Sequence, residues 1–171
     1  MTDPTNVTGP RRSLRVIASS DAPILVEGDG AEVQLSIDHA AIVALASEQA
    51  VHAGDASVFR FYLELEQVRG THDAAVLQVF LRTPGATQAS HPHDTYLASV
   101  GLFGLRLASM GDAGEGLFYS LDITSHAARL QHAAVPAAAR LCVSIQSRHT
   151  LPGGVGIHIG RVSIGVERIN T

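Results

Sequence analysis

Hydrophobic and polar residues alternate along most of this chain with the two-residue period of β-strands. The clearest run, 58–68, places four apolar side chains on one face and four largely polar ones on the other: Phe59, Phe61, Leu63 and Leu65 against Arg60, Tyr62, Glu64 and Glu66. Such alternation is typical of a sheet that buries one face and turns the other towards solvent or a partner.

Seven more segments are predicted as strands on the same grounds: 14–17, 31–37, 75–82, 96–103, 117–123, 141–145 and 156–166. The last segment changes phase at Gly160, where a bulge is expected because glycine tolerates the altered backbone. Two short helices are predicted, one capped by Asp38 and one, through about Leu130, capped by Thr124. Seven or eight short strands separated by turns predict a mostly β fold, an antiparallel β-sandwich or barrel with one or two short helices.

The length of 171 residues fits one domain, and 46% hydrophobic residues suffice for a core. Aromatic residues make up only 5%, so Val, Leu, Ile and Ala must fill that core. Residues 1–13 are predicted to be a flexible leader, and 14–171 a single β domain.

The formal net charge is −4, and all 12 basic residues are arginines scattered along the chain. This distribution offers no stripe for nucleic-acid phosphates. No apolar run approaches the roughly 20 residues that span a bilayer, and the N-terminus lacks the apolar stretch of a secretory signal. We therefore expect neither nucleic-acid nor membrane partners, and a cytoplasmic location.

Cys142 is the single cysteine and stands between Leu141 and Val143. It cannot form a disulfide within the chain, and we expect a buried, inert thiol.

Nine histidines raise the question of metal binding, and the densest group is His91-Pro92-His93 followed by Asp94. Two imidazoles one residue apart on an extended loop can reach one metal ion, with the carboxylate as a third ligand. His91, His93 and Asp94 are therefore the candidate metal site.

The same region resembles the first motif of the cupin family, through Gly85, His91, His93 and Gly104. That family expects a glutamate ligand at the position of Leu97 or Ala98, and its second motif is half-suggested by 152–154 with His158 nearby. The resemblance implies an alternative function, a small metal-dependent enzyme that uses His91, His93 and His158.

An ordered series of segments resembles the C-terminal β domain of tyrosinases and polyphenol oxidases, which are type 3 copper oxidases. The segments that carry the resemblance are Phe59–Thr71, Val79–Pro84, Ala98–Gly104, Leu117–Thr124 and Val155–Ile164. In that family, catalysis belongs to a separate helical domain in which six histidines hold two copper ions. The resemblance implies that this chain is the companion domain without the oxidase.

The resemblance further implies a non-catalytic accessory domain that binds a tyrosinase-like catalytic subunit and shields, stabilises or helps metallate its dicopper site. Copper would then be handled only transiently. The loop from Pro84 to Tyr96 is the candidate contact, and Tyr96 is its aromatic residue. A second candidate contact is the polar row of the strand predicted at 58–68, which consists of Arg60, Glu64 and Glu66. A third hypothesis is a homo-oligomer formed through such rows and exposed strand edges.

Overall fold

A computed structural model describes residues 14–51, 59–73, 75–82, 94–110, 115–134 and 140–169. The strands are β1 (Arg15–Ser20), β2 (Ile24–Glu27), β3 (Gly30–Ile37), β4 (Phe59–Gly70), β5 (Val76–Leu81), β6 (Thr95–Gly101), β7 (Leu117–Asp122), β8 (Leu141–Ser147) and β9 (Gly156–Arg168). The helices are α1 (His39–Val51), α2 (Leu105–Ala108) and α3 (Ala127–Ala134). The predicted leader, 1–13, lies outside the described residues.

All nine strands belong to one antiparallel sheet in the order β6-β5-β8-β3-β1-β9-β4-β7. β2 continues the line of β1 along β9, so that Ile24 lies opposite Ile159 while Ser19 lies opposite Ser163. The fold class predicted from the alternation, an antiparallel β-sandwich or barrel, is confirmed. The strand that the pattern did not predict is β2, which has four residues.

The sheet curls until its two edge strands approach each other. β6 and β7 stand at opposite ends of the strand order, yet the hydroxyl of Tyr119 on β7 donates a hydrogen bond to the carbonyl of Gly101 on β6, at 3.3 Å. Burial raises the pKa of Tyr119 to about 12. A side chain therefore links the two edges, and the sheet becomes barrel-like.

The core lies inside the curled sheet and is built mainly from aliphatic side chains, as the composition predicts. Its largest fully buried residues come from five strands and from the helices and connections beside them: Leu35, Phe61, Leu63, Leu65, Leu77, Ile145 and Ile157 on strands, with Leu45, Leu102, Leu105, Ile123 and Leu130 outside them. Burying these side chains is the main favourable contribution to folding.

β4 and β9 change phase together at one level of the barrel. On β9, the alternation of buried and exposed side chains changes phase between Ile159 and Val162, where the change was predicted at Gly160. On β4, the shift falls between Leu65 and Val68, where the pairing with β7 is also irregular. Between them Gln67 adopts φ 53°, a left-handed conformation. The two strands thus bend at the same place without losing register with each other.

α1 begins as predicted, because Oδ1 of Asp38 accepts a hydrogen bond from the amide of Ala41 at 3.0 Å. Thr124 starts a 3-10 turn, Thr124–His126, that leads into α3, but it does not cap that turn. Its Oγ1 accepts a hydrogen bond from the amide of Phe61 at 3.0 Å, because tertiary pairing to β4 competes for the hydroxyl. In the described ranges, no helix has both the length and the apolar character needed to cross a bilayer.

Candidate interaction surface

The outer face of β5 and β6 carries an ordered aromatic pair. The rings of Phe80 and Tyr96 meet edge to face, with centroids 5.6 Å apart and planes at 68°. Both side chains point away from the core, and Tyr96 is 46% exposed. The predicted contact residue Tyr96 therefore lies on β6, at the end of the loop, and a neighbouring ring holds it in place.

Beside this pair lies a group of three charged side chains, two of which are buried. Arg82 follows β5 directly, and its side chain is only 5% exposed. Its Nε lies 3.5 Å from Oδ2 of Asp94, whose side chain is 3% exposed, and its Nη1 pairs with the carboxylate of Glu32 on β3. Nη2 of Arg82 is buried and makes no hydrogen bond within the described part of the chain. One guanidinium thus joins two carboxylates from segments far apart in sequence.

Cys142 faces the same group from β8, and its carbonyl accepts a hydrogen bond from the amide of Arg82 at 2.9 Å. The residue is half-buried, so the expectation of a buried thiol was wrong. The reason is the strand alternation, which turns Leu141 and Val143 inward and Cys142 outward. Burial raises the pKa of the thiol, Glu32 and Asp94 raise it further, and Arg82 lowers it.

The structure tests only part of the predicted metal site. His91 and His93 lie outside the described residues, as does Gly85, whereas the carboxylate of Asp94 contacts Arg82. His158 is exposed and pairs with Leu25 in the line of β2, on a strand that is not a neighbour of β6. Among the residues that the structure describes, no three His, Cys, Asp or Glu side chains are grouped so that they could hold a metal ion.

The predicted polar row of β4 forms a second outer face. Arg60 makes an ion pair with Asp122 on β7 at 3.5 Å, and Glu66 lies directly opposite Arg161 on β9. Glu64 is half-buried between Ser120 and Ser163.

Tyr62, in the same row, is only 5% exposed. The alternation predicted a solvent-exposed or partner-contacting face, but this face is not uniformly solvent-exposed. Tyr62 lies opposite Gly165 on β9, and Cβ of Leu14 lies 2.8 Å from the position that a Cβ at Gly165 would take, so Leu14 covers that part of the face. This row and Tyr96 lie on different parts of the surface, because β7 and the contact between β6 and β7 come between them.

The clefts on the described surface include one of about 480 Å³ where α1 meets the ends of the strands, and its lining includes Leu45, Phe59 and the Arg15–Glu48 ion pair. Another, of about 360 Å³, lies where β2 diverges from β3. No histidine or cysteine is among the residues that line either cleft.

Leu102 and Phe103 were predicted to end the strand 96–103, but the chain leaves the sheet at Leu102 and goes on into α2. This segment exposes three large apolar side chains: Phe103 at 80%, Leu107 at 77% and Met110 at 67%. This surface was not predicted from the sequence, because an apolar run that begins in a strand resembles a continuation of that strand. Gly104, in the left-handed region at φ 76°, was the available signal for a turn.

Comparison with known proteins gives one family and no curated relative. No curated protein matches the chain. A family model described as a domain of unknown function matches residues 13–167, which include all nine strands except the last residue of β9. The chain therefore belongs to the family of the domain of unknown function DUF7868.

Proposed function

We propose that this chain is a non-catalytic accessory domain that binds a partner protein through the outer face of β5 and β6. The observation that carries the proposal is Tyr96, which is 46% exposed although its ring is already ordered against Phe80. Tyrosine is enriched among the residues that dominate binding energy at protein interfaces. An aromatic side chain that is ordered before binding loses less conformational entropy when a partner covers it.

The charges beside Tyr96 support the same face. Arg82 and Asp94 are buried next to it, so the strand ends there are held by an ion pair as well as by the sheet. A stiff surface with an aromatic centre is suited to a partner of fixed shape.

The partner that we propose is the catalytic subunit of a type 3 copper oxidase. The support for this choice is the resemblance of five ordered segments to the β domain that accompanies tyrosinase catalytic domains. In this role the chain covers, stabilises or helps to metallate the dicopper site of the other protein.

Co-expression with a tyrosinase-like catalytic subunit from the same genome tests the proposal. We expect the two chains to co-purify, and the copper content or phenol oxidation of the oxidase to change when the chain is left out. Tyr96→Ser is expected to raise the dissociation constant at least tenfold, which corresponds to about 1.4 kcal/mol.

Val43→Ser is the matched control, since Val43 is 65% exposed on α1 and is expected to leave binding unchanged. Failure to co-purify, together with unchanged copper content and activity, would overturn the proposed partner.

A further inference from the structure

The segment 102–110 is held firmly to the barrel. Leu105 is fully buried, and Oγ of Ser109 accepts a hydrogen bond from the amide of Gly70 at 2.9 Å and donates one to the carbonyl of Leu105 at 2.6 Å. Oδ1 of Asp73, in the turn after β4, accepts a hydrogen bond from the amide of Arg106 at 2.6 Å. The exposed residues of this segment therefore stand on an ordered base.

Three of those exposed residues are large and apolar. The amide of Met110 donates a hydrogen bond to the carbonyl of Leu107 at 3.2 Å, so the helical turn continues to Met110. Since the two residues are three positions apart, they lie on one side of this turn. The ring of Phe103 folds back over Gly101, where a side chain would collide with it. Phenylalanine and methionine are enriched in protein interfaces, as is arginine, which stands between these residues at Arg106.

This surface carries one positive and one negative side chain, so two copies of it can be complementary in charge. Nε of Arg106 lies 3.6 Å from Oδ2 of Asp73, and the side chains are 70% and 42% exposed. In a two-fold interface the same residues face each other from both copies, so a surface that carries one cation beside one anion can pair with itself. Each arginine can then reach the aspartate of the other copy at the rim of the apolar contact.

We infer that two copies of this chain associate through the α2 surface, which consists of Phe103, Leu107 and Met110 with Arg106 and Asp73 at its rim. The apolar side chains meet at the two-fold axis, and Arg106 of each copy pairs with Asp73 of the other. Three side chains supply only part of the roughly 800 Å² that each partner of a standard interface buries. The dimer is therefore a weak one that dissociates on dilution.

A second copy fits this surface better than a lipid surface does. The chain carries a net charge of −4, which opposes adsorption to anionic membranes, and Asp73 lies beside the apolar residues. The inference does not depend on the proposed function, because Tyr96 lies at the opposite end of β6 from the α2 surface.

Sedimentation equilibrium of the full chain, from low micromolar to submillimolar concentration, tests the inference. We expect a reversible monomer–dimer equilibrium, and Leu107→Ser is expected to raise its dissociation constant at least tenfold. Val51→Ser is the matched control, since Val51 is 81% exposed on α1 and should not affect the equilibrium.

A charge exchange makes the test specific for this geometry. Arg106→Asp and Asp73→Arg each place like charges opposite each other, so each variant alone is expected to be monomeric. A mixture of the two is expected to dimerise again, because every facing pair is then attractive. Circular dichroism checks that both variants fold, since Asp73→Arg also removes the acceptor for the amide of Arg106. If that variant does not fold, the Leu107→Ser and Val51→Ser comparison decides.

Three results would overturn the inference. The first is a wild-type chain that stays monomeric throughout the concentration range. The second is a dimer that Leu107→Ser does not weaken. The third is a monomer that binds phosphatidylserine vesicles through Leu107, which would make the surface a membrane contact instead.

Discussion

The side chain of Gln67 fills the space in which a side chain at Gly160 would begin. Cβ of Gln67 lies 2.9 Å from the position that a Cβ of residue 160 would take, and the left-handed backbone of Gln67 turns its side chain across the neighbouring strand. This contact stands at the level where β4 and β9 change phase together. The bend of the barrel thus depends on the absence of a side chain at Gly160 in β9 and on the left-handed backbone of Gln67 in β4.

Gly160→Ala is expected to destabilise the protein by about 1–3 kcal/mol, because the methyl group must displace Gln67. Gly153→Ala is the control, since no atom lies within 4 Å of a Cβ at that position. Gln67→Gly in the same chain should recover much of the loss, because glycine removes the collision and adopts φ 53° without strain. Urea unfolding of the wild type, Gly160→Ala, Gln67→Gly and the double variant measures the coupling, and additive effects would contradict it.

Arg82→Met is expected to cost about 3 kcal/mol of unfolding free energy. The substitution removes the cation that lies between Glu32 and Asp94, and Asp94 remains buried without this ion pair. Arg82→Met combined with Asp94→Leu should be more stable than Arg82→Met alone, because the buried negative charge is gone. Thermal unfolding compares the variants, and a double variant less stable than the single one would show that Asp94 does not depend on this arginine.

Stability should fall as the pH rises from 10 to 12, and Tyr119 should contribute to that fall. Burial raises the pKa of Tyr119 from 10.0 to about 12, so in this window the folded chain retains a proton that the unfolded chain has lost. Deprotonation therefore favours unfolding. Tyr119→Phe should make the stability fall less steeply above pH 10, and it should remove a transition near pH 12 from an ultraviolet titration of the phenols. A titration that keeps this transition in the variant would contradict the assignment.

The thiol of Cys142 should react slowly with iodoacetamide in the folded chain. Burial raises its pKa, so less thiolate is present at mildly alkaline pH than in the unfolded chain. Glu32→Gln should speed the reaction because it removes a negative charge that raises the pKa. Arg82→Met should slow it, because the arginine lowers the pKa. Mass spectrometry of the alkylated protein follows the rates, and equal rates in all three proteins would show that access alone controls the reaction.

The strands could be predicted from the sequence because a two-residue period records directly which side chains face the core. β2 could not, since it has only four residues directly after the turn Asp21-Ala22-Pro23, and only Ile24 and Val26 point inward. Thr124 was correctly placed at the start of a helical turn, but its hydroxyl bonds to Phe61, a partner 63 positions away. Local rules favour the local acceptor role and cannot anticipate such a partner.

The candidate surfaces were less predictable than the strands. Tyr96 could be selected as an aromatic residue near a long polar stretch, but its contact with Phe80 depends on a shift of register between β5 and β6. Glu32 and Arg82 are 50 positions apart and meet only because β8 lies between β3 and β5. Periodicity places each residue on a face, whereas the order of the strands decides which residues share that face.

The first and last strands of the barrel are neighbours, with Arg15 opposite Val166. Residues paired in this way have α-carbons about 5 Å apart, so a short linker can join the two strand ends. The exposed turn at Gly153, between β8 and β9, can then be opened to provide new termini. A circularly permuted chain of this kind retains every strand pairing, and for the same reason the domain can be inserted into a loop of another protein.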